Sequence, residues 1–257
     1  MSLRGSEFRL HHSVPMNFEG RAKGESMQVK KKVSSSSAVN AVGTYSLGEE
    51  IANAVTHGLA VLLSIAGLVL MIIFAVRQSA GALAIVSTSI FGASMIILYT
   101  VSTLYHAIPN LRAKRVLQVL DHSAIYILIA GSYTPFCLIT LGGTTGIVLC
   151  SVVWTIALFG ACFQPLLLRA ADWLNCVLYL ALGWCIVFVA EPLIESLPTG
   201  GLWLLAAGGI TYSLGIIFYL WEKLPYNHAV WHVFVLAGTM LQFFAVLFYV
   251  IPHGTAA

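Results

Sequence analysis

Beyond residue 49 the chain is a succession of apolar runs, each long enough to cross a hydrocarbon core of about 30 Å as a helix of about 20 residues. The runs lie near residues 50–76, 81–106, 115–141, 145–168, 173–190, 201–221 and 228–251. The breaks between them are short: Arg77-Gln78-Ser79, Pro109 to Arg115, Gly142-Gly143-Thr144, Arg169 to Asp172, Glu191 to Gly200, and Glu222 to Asn227. Backbone groups in lipid must be satisfied within their own segment, so helices are the expected form. Charge points the same way. Only 9% of the 257 residues are charged and 59% are apolar, against about 25% charged in soluble domains. Residues 1–50 take seven of the 13 Lys/Arg and five of the 10 Asp/Glu, which leaves the rest of the chain unable to cover a water-facing surface. The expected fold is all-α: an integral membrane bundle of seven transmembrane helices over residues 49–257, preceded by a polar tail over 1–48.

The tail carries Lys30-Lys31-Lys32 and then Ser34 to Ser37, and reads as disordered. Gly5-Ser6-Glu7-Phe8 is what two adjacent cloning sites would encode, which marks residues 1–26 as a candidate vector segment and Met27 as the candidate native start. No secretory signal peptide is expected, because the first apolar run follows about 50 polar residues and is too long for an h-region. Most of the net charge of +3 belongs to the tail, so no nucleic-acid surface is implied. Cys137, Cys150, Cys162, Cys176 and Cys185 lie in or beside apolar runs with no C-x-x-C pair, and read as small hydrophobes rather than disulfides or metal thiolates. Orientation follows from loop Lys/Arg: Arg112, Lys114, Arg115, Arg169 and Lys223 share one side, and Arg77 stands alone on the other. The N-terminus is therefore expected in the cytoplasm and the C-terminus outside.

Ionisable residues inside such helices are costly, so each is a functional candidate. The first run opens with Glu50-x-x-Asn53-x-x-x-His57, the second ends with Ser102-x-x-x-His106, the third begins with Asp121-His122, and the seventh begins with His228-x-x-x-His232. Offsets of three, four and seven place each set on one helix face. Runs one, three and seven start at the same boundary at which run two ends, so all four sets converge at one depth, near the cytoplasmic face. Asn227 is the expected N-cap of the last helix. His122 points about 100° from Asp121 and reads as interfacial; His57 reads as a supporting residue that hydrogen-bonds helix neighbours, with Glu50 and Asn53 holding helices together or matching the helix dipole.

Two histidines at i and i+4 and a third from another helix make a three-ligand zinc set with a fourth position open to water. His106, His228 and His232 are the expected metal ligands. Asp121 is the expected acid/base and Ser102 the expected hydrogen-bond donor to a carbonyl or oxyanion. The bland alternative is that the histidines are satisfied core residues.

Glu50-x-x-Asn53-x-x-Thr56-His57, Ser102-x-x-x-His106, Leu120-Asp121-x-Ser123 and His228-x-x-x-His232, in this order over seven spans, resemble the hemolysin III family. That bacterial family is similar to the adiponectin and progestin receptors and, more distantly, to the alkaline ceramidases. The resemblance spans about residues 45–251. It implies zinc on His106, His228 and His232, Asp121 touching the zinc-bound water, Ser102 beside it, and Glu50, Asn53 and His57 in support. It also implies a bacterial inner-membrane protein whose partners are membrane lipids. Hemolysin III proteins are named for pore-forming lysis of blood cells, whereas the wider superfamily implies lipid amide hydrolysis linked to membrane lipid homeostasis. Enzyme, pore and non-enzymatic regulator with structural zinc all stay open at this point.

Overall fold

A computed structural model describes residues 45–168 and 172–256. The tail reading for residues 1–44, with its vector segment, and Arg169 of the orientation count lie outside the described residues.

Helix α1 (Leu47–Arg77) starts at a capping box: Glu49 N–H donates to Ser46 Oγ, and Glu49 Oε2 accepts from Ser46 N–H at 2.8 Å. Two orphan N–H groups are satisfied at once, and Glu49 and Glu50 in the first turn complement the positive end of the helix dipole. The helix thus begins three residues before the hydrophobic run does. Helix α2 is Gly81–Ala107. Helix α3 (Leu111–Pro135) is capped by Asn110, whose Oδ1 accepts from Arg112 N–H at 3.0 Å and Ala113 N–H at 3.1 Å. The cap moves the helix start four residues before the expected Arg115, so Asp121 stands ten residues in, about 15 Å along the axis.

Past Pro135 the third span continues as π-helix over Phe136–Leu141. Gly142 (φ 58°) and Gly143 (φ 48°) then reverse the chain in a conformation costly for any residue with a Cβ. A two-glycine turn is therefore enough to separate span three from span four, α4 (Gly143–Leu167). The fifth span is broken: α5 (Asp172–Gly183) passes through a 3₁₀ segment (Trp184–Val189) into α6 (Ala190–Ser196). Helix α7 is Thr199–Leu220, and α8 (Asn227–Ala245) ends in a π turn, Val246–Val250, and a 3₁₀ turn, Ile251–Ala256. No strand occurs among the described residues, and seven helices are long and apolar enough to cross a membrane.

The expected Asn227 cap is not formed. Tyr226, in the left-handed region at φ 58°, holds the cap position without a side-chain hydrogen bond. Asn227 instead donates from Nδ2 to the Tyr219 carbonyl at 3.0 Å, tying the start of α8 to the end of α7. A freed helix-end carbonyl competes for the amide and wins.

Helices α1, α2 and α3 pack in sequence, α7 packs on α8, and α8 closes against α1. Small residues permit the close approaches. A Cβ on Gly131 of α3 would strike Ser94 of α2. One apolar cluster joins Met71, Phe91, Tyr99 and Val246, and a second, around Tyr126 and Val153, packs α3 on α4. Large side chains such as Leu62, Val86, Phe159 and Trp203 face outward, as a lipid-facing surface requires.

Candidate metal centre

Two helices bring three imidazoles to one end of the bundle, the end at which α1, α3 and α8 begin and α2 stops. His106 comes from the last turn of α2, and His228 and His232 from the first two turns of α8. Each offers a ring nitrogen lying within 4.8 Å of the other two, and all three residues are buried. Among the described residues this is the group of His, Cys, Asp and Glu side chains with that convergence.

The partners of the rings decide which nitrogens are free. Glu50 Oε2 lies 2.7 Å from His106 Nδ1. A carboxylate carries no hydrogen to donate, so the ring donates from Nδ1–H, and the lone pair of His106 is on Nε2. Tyr45 hydroxyl lies 3.0 Å from His228 Nδ1. Nε2 of His106 and Nε2 of His228 are buried without a hydrogen-bond partner among the described residues, and His232 meets the backbone of Asn53 with neither nitrogen in standard hydrogen-bond geometry. An orphaned buried polar atom costs about 1–3 kcal/mol, and several in one place suit a shared partner. A cation such as zinc, which favours imidazole in tetrahedral sets, fits that role.

The surrounding residues hold the triad. His57 stacks face to face on His232, with ring centroids 3.5 Å apart and planes 9° apart, and meets Tyr99 edge-on at 4.9 Å. It meets the backbone of His232 on α8, although neither of its nitrogens reaches standard hydrogen-bond geometry among the described residues. A flat ring stacked on His232 also restricts the plane of that imidazole. Asn53 is fully buried, with Nδ2 3.4 Å from His106 Nδ1. Glu50 also accepts from Lys114 Nζ at 2.5 Å. The structure therefore brings Glu50, Asn53 and His57 directly onto the triad.

Asp121 and Ser102 are both buried and lie beside one another, with Asp121 also within electrostatic reach of His106. Asp121 is not a member of the three-histidine group. Together with His57 it lines a cavity of about 120 Å³. His122, expected at the interface, lines the same cavity; its Nδ1–H donates to the Gln118 carbonyl at 2.9 Å.

That cavity is walled mainly by apolar side chains, and it shares Ser132, Tyr133, Gly183, Trp184, Gly209 and Gln242 with a second cavity of about 430 Å³. The two cavities adjoin as a corridor between the third, fifth, sixth and seventh spans, with His57 and Asp121 at one end; His106, His228 and His232 do not line it. Tyr212 lines it, and its hydroxyl meets Thr239 Oγ1 at 2.8 Å, where Tyr99 also donates at 2.7 Å.

Two contacts escape a reading by motif. Tyr45 falls in the polar tail and Lys114 among the loop cations. For Lys114 a signal existed: it precedes Asp121 by seven residues, two helical turns, and so shares its face.

The family model described as haemolysin-III related matches residues 45–243, more than half of the chain. Hemolysin-3 of Bacillus cereus is 48% identical over 207 residues, covering 80% of this chain and 94% of that protein. The Hemolysin-3 homolog of Bacillus subtilis (strain 168) is 50% identical over 205 residues, covering 80% and 96%. The monocyte to macrophage differentiation factor of Homo sapiens is 27% identical over 213 residues, covering 80% and 87%.

Proposed function

The chain belongs to the haemolysin-III related family of multi-pass membrane proteins, and from that premise we propose that it holds zinc between His106, His228 and His232 and hydrolyses an amide or ester bond of a membrane lipid. The observation that carries this reading is the set of orphaned imidazole nitrogens converging near Asp121, which lines the apolar corridor. Zinc bound there supplies Lewis acidity, polarising a carbonyl oxygen or acidifying water. The Asp121 carboxylate, on the wall of the adjoining cavity, takes a proton from the attacking water and returns it to the leaving amine nitrogen or alcohol oxygen. Ser102 Oγ, buried without a hydrogen-bond partner of standard geometry, donates to the carbonyl oxygen or oxyanion. The corridor takes the acyl chain and excludes bulk water. A bacterial inner membrane is the proposed location, lipids are the proposed partners, and lipid homeostasis is the proposed role.

The name Hemolysin-3, carried by the Bacillus cereus relative, favours lysis and with it a second reading, a pore-forming cytolysin. A pore needs hydrogen-bonding groups that face a wet path, and the buried hydroxyls away from the histidines are turned inward on their own helices. Ser87 donates to Leu83 O, Thr88 to Ala84 O, Ser94 to Phe91 O and Thr134 to Ala130 O. Those contacts support chemistry at one depth over conduction.

The test is metal analysis of purified protein followed by a screen of N-acyl and ester lipids in vesicles, with ion leak recorded in parallel. One zinc per chain and lipid turnover that disappears in His106→Ala, His228→Ala and His232→Ala, without change in leak, is the expected result. Zinc without turnover in any lipid class would leave a regulator with structural zinc. Leak that requires the histidines would favour the pore.

A further inference from the structure

Lys114 is buried, with 6% of its surface exposed, although it lies in the first turn of α3. A lysine at the edge of a membrane helix ordinarily extends its ammonium to the aqueous interface. This one turns inward. Its Nζ donates to Glu50 Oε1 at 2.5 Å and to the Tyr105 carbonyl at 3.1 Å, and it lies over the Tyr105 ring at 5.0 Å from the centroid. Both contacts lead to the same place. Glu50 carries His106 Nδ1 on its other oxygen, and Tyr105 is the residue before His106 in α2.

We propose that Lys114 is a positioning residue for the metal site, aiming His106 Nε2 through Glu50. The inference rests on the triad being a zinc site and deepens that reading. A carboxylate held at one oxygen can still turn about its side-chain bonds; held at both, it has one orientation. With Lys114 on Oε1, Oε2 is directed at His106 Nδ1–H, which fixes the ring's tautomer and its rotation, and therefore the direction of the Nε2 lone pair. The bond to the Tyr105 carbonyl anchors the same ammonium to the α2 backbone beside the ligand. Three helices, α1, α2 and α3, are thereby referred to one nitrogen. Outer hydrogen bonds of this kind are commonly worth 10–100-fold in metal affinity. A helix-joining ion pair alone would make a different demand, since its loss would lower the stability of the metal-free protein and leave zinc affinity where it was.

The experiment uses purified full-length protein stripped of metal, with zinc affinity read by competition against a chromophoric chelator. Lys114→Met keeps the length of the side chain and removes its charge; zinc should bind roughly 10–100-fold more weakly. Cobalt loaded into the variant should show altered visible absorption bands, because one ligand ring is free to turn. Glu50→Gln should weaken zinc to a similar degree, and Lys114→Met made on top of Glu50→Gln should add less than twofold, since the route is already cut. If Lys114→Met does not reach the membrane, Lys114→Gln, which keeps a donor without the charge, is judged by the same criteria. Zinc affinity within twofold of wild type overturns the proposal, as does full additivity in the double variant. Wild-type protein that binds no zinc, or His106→Ala protein that keeps it at full affinity, overturns the zinc reading itself and this inference with it.

Discussion

Replacing Asp121 by Asn separates the proposed proton-transfer role from a role in holding metal. The substitution keeps side-chain volume and hydrogen-bonding capacity and removes the basic group. Asp121 lies outside the group whose nitrogens stand within 4.8 Å of one another, so zinc content should stay at wild-type level. A positioned general base contributes about 10²- to 10⁴-fold, which at 1.36 kcal/mol per factor of ten is about 2.7–5.4 kcal/mol of barrier. Stability should not suffer. The carboxylate is 4% exposed, and a neutral amide there avoids the desolvation cost of a buried charge, so the melting temperature should hold or rise. The assay pairs zinc content by elemental analysis with release of fatty acid from the lipid that proves best for the wild type. Asp121→Asn protein that loses its zinc would make Asp121 a direct ligand. Full zinc with undiminished turnover would refute the assignment of proton transfer to this carboxylate.

Other outcomes follow from particular contacts. Tyr45→Phe removes the hydroxyl 3.0 Å from His228 Nδ1, and zinc affinity measured by chelator competition should fall about 10-fold; an unchanged affinity would show that His228 is held without it. Asn110→Ala removes the cap of α3 and should cost about 1 kcal/mol, seen as a lower midpoint of denaturation in detergent, with zinc content intact. A reporter fused after Lys32 should read cytoplasmic and one after Ala257 external, because five loop cations face one; the same reading at both ends would contradict seven crossings.

Helix identity, helix number and the helix faces that carry the polar residues are local properties, legible from the order of residues alone. A chain with so little charge and runs of about 20 apolar residues has no other way to satisfy its backbone. The 3.6-residue period then puts His228 with His232, and Glu50 with Asn53 and His57, on common faces. Their arrival at one end of the bundle follows from counting crossings. Helix starts were less legible, because Ser46 and Asn110 cap from outside the hydrophobic runs. What required tertiary structure is every pairing at about 3 Å. Periodicity gives the face of a helix; the rotation and tilt of its neighbours decide what that face meets. So Lys114, one loop cation among several by sequence, turned inward to Glu50, and Tyr45 reached His228 from beyond the first span. Asn227 left the cap for the Tyr219 carbonyl, and His57 stacked on the ring of His232. The corridor beside Asp121 is likewise a property of the space between spans three, five, six and seven, and no single segment contains it.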